Sequence, residues 1–254
     1  MNMNNDVAEF GSIMHRTLRS VLGITMGVLI LMAMAAPSAR AALETYYDFE
    51  DGNFTSDSPG LQPTSIAPFI GSFTFPAGTG TTVNAVTPIT TNTALTIHPF
   101  FPPVGGAGVG AFGFGGLTTT GLTDVHLSFA LLSAATGGSF TDLDLEYSTT
   151  GVNGPYMSFA SVTNLTSHTD YNPALTFDVS ALTGGAVNGV SGNNLFFLFA
   201  FTGATNGDAA TFIDNIQVTA VPEPSSYIGA LFGLVGLCWF QRRRFMRLLS
   251  LRSA

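Results

Sequence analysis

The chain has 254 residues, 46% of them hydrophobic and only 9% charged, with 29 glycines and 13 prolines. Its formal net charge is -8, and its eight basic residues are all arginines, confined to positions 16, 19, 40, 242, 243, 244, 247 and 252. A body with no basic side chain between Ala41 and Gln241 cannot neutralise phosphates or clamp an anionic substrate, which excludes nucleic-acid binding.

The first element is a leader. In "HRTLRSVLGITMGVLILMAMAAPSARAALE", Arg16 and Arg19 form a basic start, Val21 to Ala36 is apolar, and Ala39-Arg40-Ala41 is a small-residue cleavage site. This is the pattern of a secretory signal peptide over residues 1–41, addressed to the export translocon and leaving Ala42 as the new N-terminus. Met14 is an alternative start. An uncleaved anchor helix is the competing reading.

Short runs separated by turn residues then fill residues 42–220. "LETYYDFE", "SIAPFIGSFTF" and "TALTIHPF" come first. "VGAFGFGG" follows, and without a lysine or a following helix it reads as a close-packed strand instead of a phosphate loop. In "TDVHLSFALLSA", Val125, Leu127 and Phe129 share one face. In "FTDLDLEYSTTG", Leu143, Leu145 and Tyr147 share one face, and Asp142, Asp144 and Glu146 the other, solvated one. That period of two belongs to half-buried strands. "GPYMSFASV" and "ALTFDVSAL" are further candidate strands. "NNLFFLFAFTG", apolar almost throughout, suits a central strand, and "ATFIDNIQVTA" closes the body. The spacing predicts an all-β, antiparallel two-sheet β-sandwich. The single cysteine, Cys238, lies outside it, so the body has no disulfide and no cysteine metal site.

The last element, 221–254, has three parts: Val221-Pro222-Glu223-Pro224, an apolar run from Tyr227 to Phe240, and Arg242, Arg243 and Arg244. The prolines keep the first part extended. The run is short against the roughly 17–20 residues of a membrane span, so it predicts a short transmembrane helix that holds the chain briefly at the inner membrane. The arginines would stay on the cytoplasmic side. An ordinary tail anchor is the structural alternative. The joint arrangement resembles the PEP-CTERM sorting signal of Gram-negative bacteria. That resemblance implies processing by exosortase near the Pro-Glu-Pro and delivery to the cell surface or an extracellular matrix.

The body is similar to the jelly-roll domains of exported and carbohydrate-binding proteins, on "YYDFEDG", "DLEYSTTG", "GPYMSF", "FDVSAL", "FFLFAFTG" and "FIDNIQV". In that superfamily the first and last strands lie near each other. The resemblance therefore implies that Asp48 and Glu50 approach Asp214, where the three could share a structural calcium, an ion that takes six to eight oxygens. Alternatively the first two face solvent and Asp214 bonds local backbone.

Catalytic patterns are absent from the sequence. His98, His126 and His168 form no metal-binding motif, no serine sits in a nucleophile elbow, and no carboxylate pair is singled out by spacing. Sugar stacking wants exposed rings, and the body offers Tyr46, Tyr47, Tyr147, Tyr156 and Tyr171 but no tryptophan, its phenylalanines being assigned to the core. The expected function is that of an exported, surface-sorted structural or adhesive protein, not an enzyme, associated with extracellular polysaccharide. A carbohydrate-binding module is the alternative, followed by a surface glycoside hydrolase.

Overall fold

The computed structural model describes residues 42–57, 65–86, 92–102, 106–133, 138–208 and 210–223, together with Gly233 and Gly236. The predicted signal helix, the short apolar helix of the tail apart from Gly233 and Gly236, Pro224 and Arg242 to Arg244 lie outside these residues. Among the described residues no helix is long and apolar enough to cross a membrane.

The described residues hold eleven strands: β1 (Ala42–Tyr47), β2 (Ser65–Ile70), β3 (Ser72–Thr74), β4 (Leu95–His98), β5 (Gly108–Leu117), β6 (Leu122–Ser133), β7 (Asp142–Ser148), β8 (Met157–Thr163), β9 (Leu175–Asp178), β10 (Leu195–Ala204) and β11 (Thr211–Pro222). They form the expected two antiparallel sheets. One has the order β3-β4-β11-β6-β9, with β1 also paired to β11; the other has the order β2-β5-β10-β7-β8. The apolar "LFFLFAF" run is indeed central, between β5 and β7.

The core is built from phenylalanines in register. Phe199 pairs with Phe112 and Phe197 with Phe114 across β10 and β5. Rings paired on the inward face therefore meet: Phe112 stacks on Phe199 at 4.7 Å, and Phe129 of the opposite sheet meets Phe199 edge-on at 5.0 Å. Such a fully buried ring contributes about 1.5–3 kcal/mol through burial alone. Val125, Leu127, Phe129, Leu143, Leu145 and Tyr147 are all buried, as their alternation requires.

Two runs differ from the expectation. "SIAPFIGSFTF" is two strands in different sheets, because Gly71, at φ +105°, turns the chain between β2 and β3. "ALTFDVSAL" is a strand only to Asp178. The Asp178 Oδ1 then accepts the Ala181 N–H at 2.8 Å and caps a short helix, α1 (Val179–Leu182).

Phe199→Ala is expected to cost about 3–5 kcal/mol, read as a lower urea midpoint at unchanged slope. A change below about 1 kcal/mol would contradict the packing just described.

Candidate functional site

β11 has β6 along one edge. Its other edge is shared: β4 covers Thr211 to Ile213, and β1 covers Ile216 to Ala220. Between those two partners, at Asp214 and Asn215, the register against β6 also shifts, and Asn215 takes a left-handed conformation at φ 51°. Ladder bonds are missing there, and side chains replace them. Asn215 Oδ1 accepts the Tyr46 hydroxyl at 2.6 Å, and its Nδ2 donates to the carbonyls of Thr81 and Val83 at 2.7 and 3.0 Å. Asp214 Oδ2 accepts the Thr81 N–H at 2.7 Å, and Oδ1 accepts its neighbour's N–H at 2.8 Å.

Just past β1, Phe49 is likewise left-handed, at φ 57°, and separates Asp48 from Glu50. A bulky residue there is strained, and such strain concentrates at functional sites. The Glu50 carboxylate accepts the N–H groups of Asn92 and Thr93 at 2.8 and 3.1 Å. Asp48 Oδ1 accepts the Glu50 N–H at 3.1 Å, and Asp57 Oδ2 accepts the Asp48 N–H at 2.8 Å.

These acids sense one another. Burial pushes the Asp214 carboxyl up to about 8, against the pull of the Thr81 and Asn215 amides, and the charges of Glu50 and Asp48 push the same way. Asp57 rises to about 7, again chiefly by burial, with Asp48 and Asp51 adding repulsion. Burial, aided by Asp214, also raises the Tyr171 hydroxyl, which donates to the Thr79 carbonyl. The first and last strands thus bring Asp48 and Glu50 into the field of Asp214, in a body whose sequence carries no lysine or arginine to neutralise them.

A second surface lies on the outer face of the five-stranded sheet. In β5 the inward residues are Phe112 and Phe114, so Gly113 and Gly115 face out. A Cβ on Gly113 would sit 2.8 Å from the Phe69 ring, and one on Gly115 would sit 2.6 Å from Phe196. The glycines are a floor on which those two rings lie. Phe69 is 46% exposed. Beside them the register places Leu198 next to Glu146, and Ala200 next to Asp144. Asp144 accepts the Ser158 hydroxyl at 2.6 Å. Burial, then Asp144, raises Glu146, and burial, then Glu146, raises the Tyr156 hydroxyl, so Tyr156 stands near that carboxylate. Tyr46, Tyr47, Tyr147 and Tyr171 are buried, which leaves Tyr156 as the accessible one of the five predicted platforms. Phe69 is not legible in the sequence, where a phenylalanine within a strand reads as core. The signal that could have found it is the glycine alternation opposite it.

A third feature is the end of β11. Val221 pairs with Thr123 and Pro222 with Leu122, so the strand runs into the Val-Pro-Glu-Pro segment. The Thr123 hydroxyl donates to the Val221 carbonyl at 3.3 Å, and the Glu223 N–H donates to the Gly121 carbonyl at 2.8 Å. Nearby on the outside of the same sheet, Asp124, His126 and Asp178 each bring one potential ligand atom within 4.8 Å of the others, and His126 Nε2 lies 3.3 Å from Asp124 Oδ1. Asp178 also caps α1, which gives it a structural role of its own.

Residues 220–244 match the family model described as the PEP-CTERM protein-sorting motif. No curated relative matches the sequence. Among solved structures, the chain is similar to the CBM22-1 xylan-binding domain of Paenibacillus barcinonensis Xyn10C, at 11% identity and TM-score 0.41, over 73% of this chain and 98% of that one. It is also similar to the K3 cleaved adhesin domain of Lys-gingipain from Porphyromonas gingivalis, at 13% identity and TM-score 0.43, over 71% and 99%. TmCBM61 in complex with β-1,4-galactotriose gives 12% identity and TM-score 0.38, over 67% and 92%. At these values the likenesses carry nothing about a ligand.

Asp214 and Asp57 ionise less readily in the fold than in the unfolded chain. Each therefore withdraws stability as pH climbs from the ordinary carboxylate range towards about 8 and about 7 respectively. In a divalent-cation chelator, the thermal midpoint of the protein is expected to fall steadily over that interval. A midpoint flat or rising across it would contradict the buried, uncompensated carboxyls.

Proposed function

We propose that this is an exported protein, sorted to the surface of a Gram-negative cell through its C-terminal motif, whose sandwich adheres to extracellular polysaccharide. The PEP-CTERM match at 220–244 carries the sorting half of this reading. In it, exosortase acts on the segment around Pro222, Glu223 and Pro224. The apolar run and Arg242, Arg243 and Arg244 hold the chain transiently at the inner membrane after the leader has been removed.

The half-exposed Phe69 supports the adhesive half. Sugar rings present C–H faces that stack on an aromatic ring, and hydroxyls that need acceptors. Phe69 on its glycine floor supplies the first, and Asp144 and Glu146 supply the second. A face bearing acids, on a body without basic side chains, suits a neutral polymer. This role is binding; nothing among the described residues favours the hydrolase alternative.

Calcium at Asp48, Glu50 and Asp214 is part of the same proposal. The donor set is all oxygen, the carboxylates are already oriented by backbone amides, and a dication would offset charges that burial otherwise penalises. Its contribution would be structural, joining the turn after the first strand to the last strand.

Two outcomes are expected. Phe69→Ala should weaken retention on matrix polysaccharide from the producing organism about tenfold, or roughly 1.4 kcal/mol, with stability held within about 0.5 kcal/mol. Unchanged retention would remove the adhesive role from this face. Millimolar calcium should raise the thermal midpoint, more at about pH 8 than at about pH 5, because binding needs ionised carboxylates. Asp214→Asn should abolish that rise. A calcium response that survives Asp214→Asn would place the ion elsewhere.

A further inference from the structure

We propose that Asn53 is a glycosylation site: its side-chain nitrogen takes a glycan from a donor activated at the anomeric carbon by a diphosphate leaving group. The inference rests on the export reading above, because such an acceptor belongs to a surface turn of a secreted chain. It goes beyond that reading to a covalent modification of the body.

The stretch "DGNFT", Asp51 to Thr55, contains the acceptor pattern Asn-x-Thr with Phe54 at its centre. It lies past the end of β1, and Asp51, Asn53 and Thr55 are all exposed. The tripeptide by itself does not make the nitrogen reactive. A carboxamide nitrogen is a poor nucleophile, because its lone pair is delocalised into the carbonyl.

The fold places side chains on both ends of that amide. Asp51 Oδ2 accepts the Asn53 Nδ2–H, and Asp51 Oδ1 accepts the Asn53 main-chain N–H at 3.1 Å. On the other side, Asn53 Oδ1 accepts the Thr55 N–H at 2.6 Å and the Thr55 hydroxyl at 2.5 Å. The carboxylate draws on the proton that must leave, and the two donors stabilise the charge that moves onto the oxygen. Together they favour the imidate form, in which the nitrogen lone pair is free to attack. Gly52, at φ +68°, makes the reversal that returns Asp51 to Asn53. The turn is anchored by the Gly52 N–H on the Phe49 carbonyl at 3.0 Å and by the Phe54 ring against Phe73 and Phe75.

Asn164-Leu165-Thr166 carries the same tripeptide in a different setting. Two residues ahead of its asparagine stands Val162, not an acid. Leu165 is fully buried and its N–H donates to the Thr141 carbonyl at 2.9 Å, so the middle residue is fixed in the core. The half-buried Phe54 is not held in that way.

In the transfer, a bond forms between Asn53 Nδ2 and the anomeric carbon. The bond from that carbon to the diphosphate oxygen breaks, and the diphosphate leaves with the electron pair. The Nδ2 proton passes to the Asp51 carboxylate and on to water.

The test is glycopeptide mass spectrometry of the full-length chain made in its native host. A glycan on Asn53 and an unmodified Asn164 are expected. An oligosaccharide of fixed composition marks transfer from a lipid carrier and a single hexose marks a sugar nucleotide; either supports the site. Asp51→Asn keeps the side chain's shape but removes its charge, and should lower occupancy at Asn53 by about tenfold. Thr55→Ser keeps the hydroxyl and should keep the glycan, whereas Thr55→Ala should lose it. An unmodified Asn53 on a chain that has shed its leader and its arginine-rich end overturns this inference and leaves the sorting reading standing. A chain that keeps both ends and carries no glycan overturns both. Unchanged occupancy in Asp51→Asn, or equal occupancy at Asn164, would show that the tripeptide alone decides, and would overturn the role given to the turn.

Discussion

The final strand, β11, is the constraint from which the rest follows. It lies inside its sheet, with β6 on one edge and β4 and then β1 in succession on the other. A shared edge cannot be continuous, because β4 leaves off at Ile213 and β1 begins at Ile216. The backbone between them has no strand partner on that side. Buried main-chain groups without partners are costly, so the side chains of Asp214 and Asn215 bond the main chain of Thr81 and Val83 across the gap. The acidic site is the chemical consequence of that gap. It takes its charge from Asp214 on one flank and from the turn after β1 on the other.

The second constraint is the absence of basic side chains from the body. Acids in most folds are offset by nearby lysines or arginines. Here the offsets are backbone amides, and they are partial. Burial therefore dominates, and the carboxyls of Asp214 and Asp57 rise far above their ordinary values. A cation from outside would complete what the sequence omits. On the opposite sheet the same deficit leaves Glu146 and Asp144 without a basic neighbour, beside rings that a sugar could cover. The two surfaces differ in depth: the first is enclosed, with Asp214 and Asp48 buried, while the second is open at Phe69.

Much of this was legible from residue order. The alternation of Val125, Leu127 and Phe129, and of Leu143, Leu145 and Tyr147, fixes which side of each strand is buried, because strand side chains alternate strictly. The approach of Asp48 and Glu50 to Asp214 followed from the resemblance that pairs first and last strands. The jump of "SIAPFIGSFTF" between sheets was not legible. Its residues suit a strand on either side of Gly71, and only the packing of both halves decides where each goes. The helix hidden in "ALTFDVSAL" depended on one capping bond from Asp178, competing with strand propensity. Phe69 was missed because composition does not say which ring finds room outside.

The sequence by itself determined the strands, their buried faces, the acid-only body and the sorting segment at its end, all of which depend on local order and residue type. The tertiary structure decided the rest. It placed the break in β11 where two partners meet, laid Phe69 over a glycine floor, and carried the last strand three residues into the matched motif. Each of these depends on register between segments distant in the chain. Register is set by the joint packing of both sheets, which no single stretch of sequence contains.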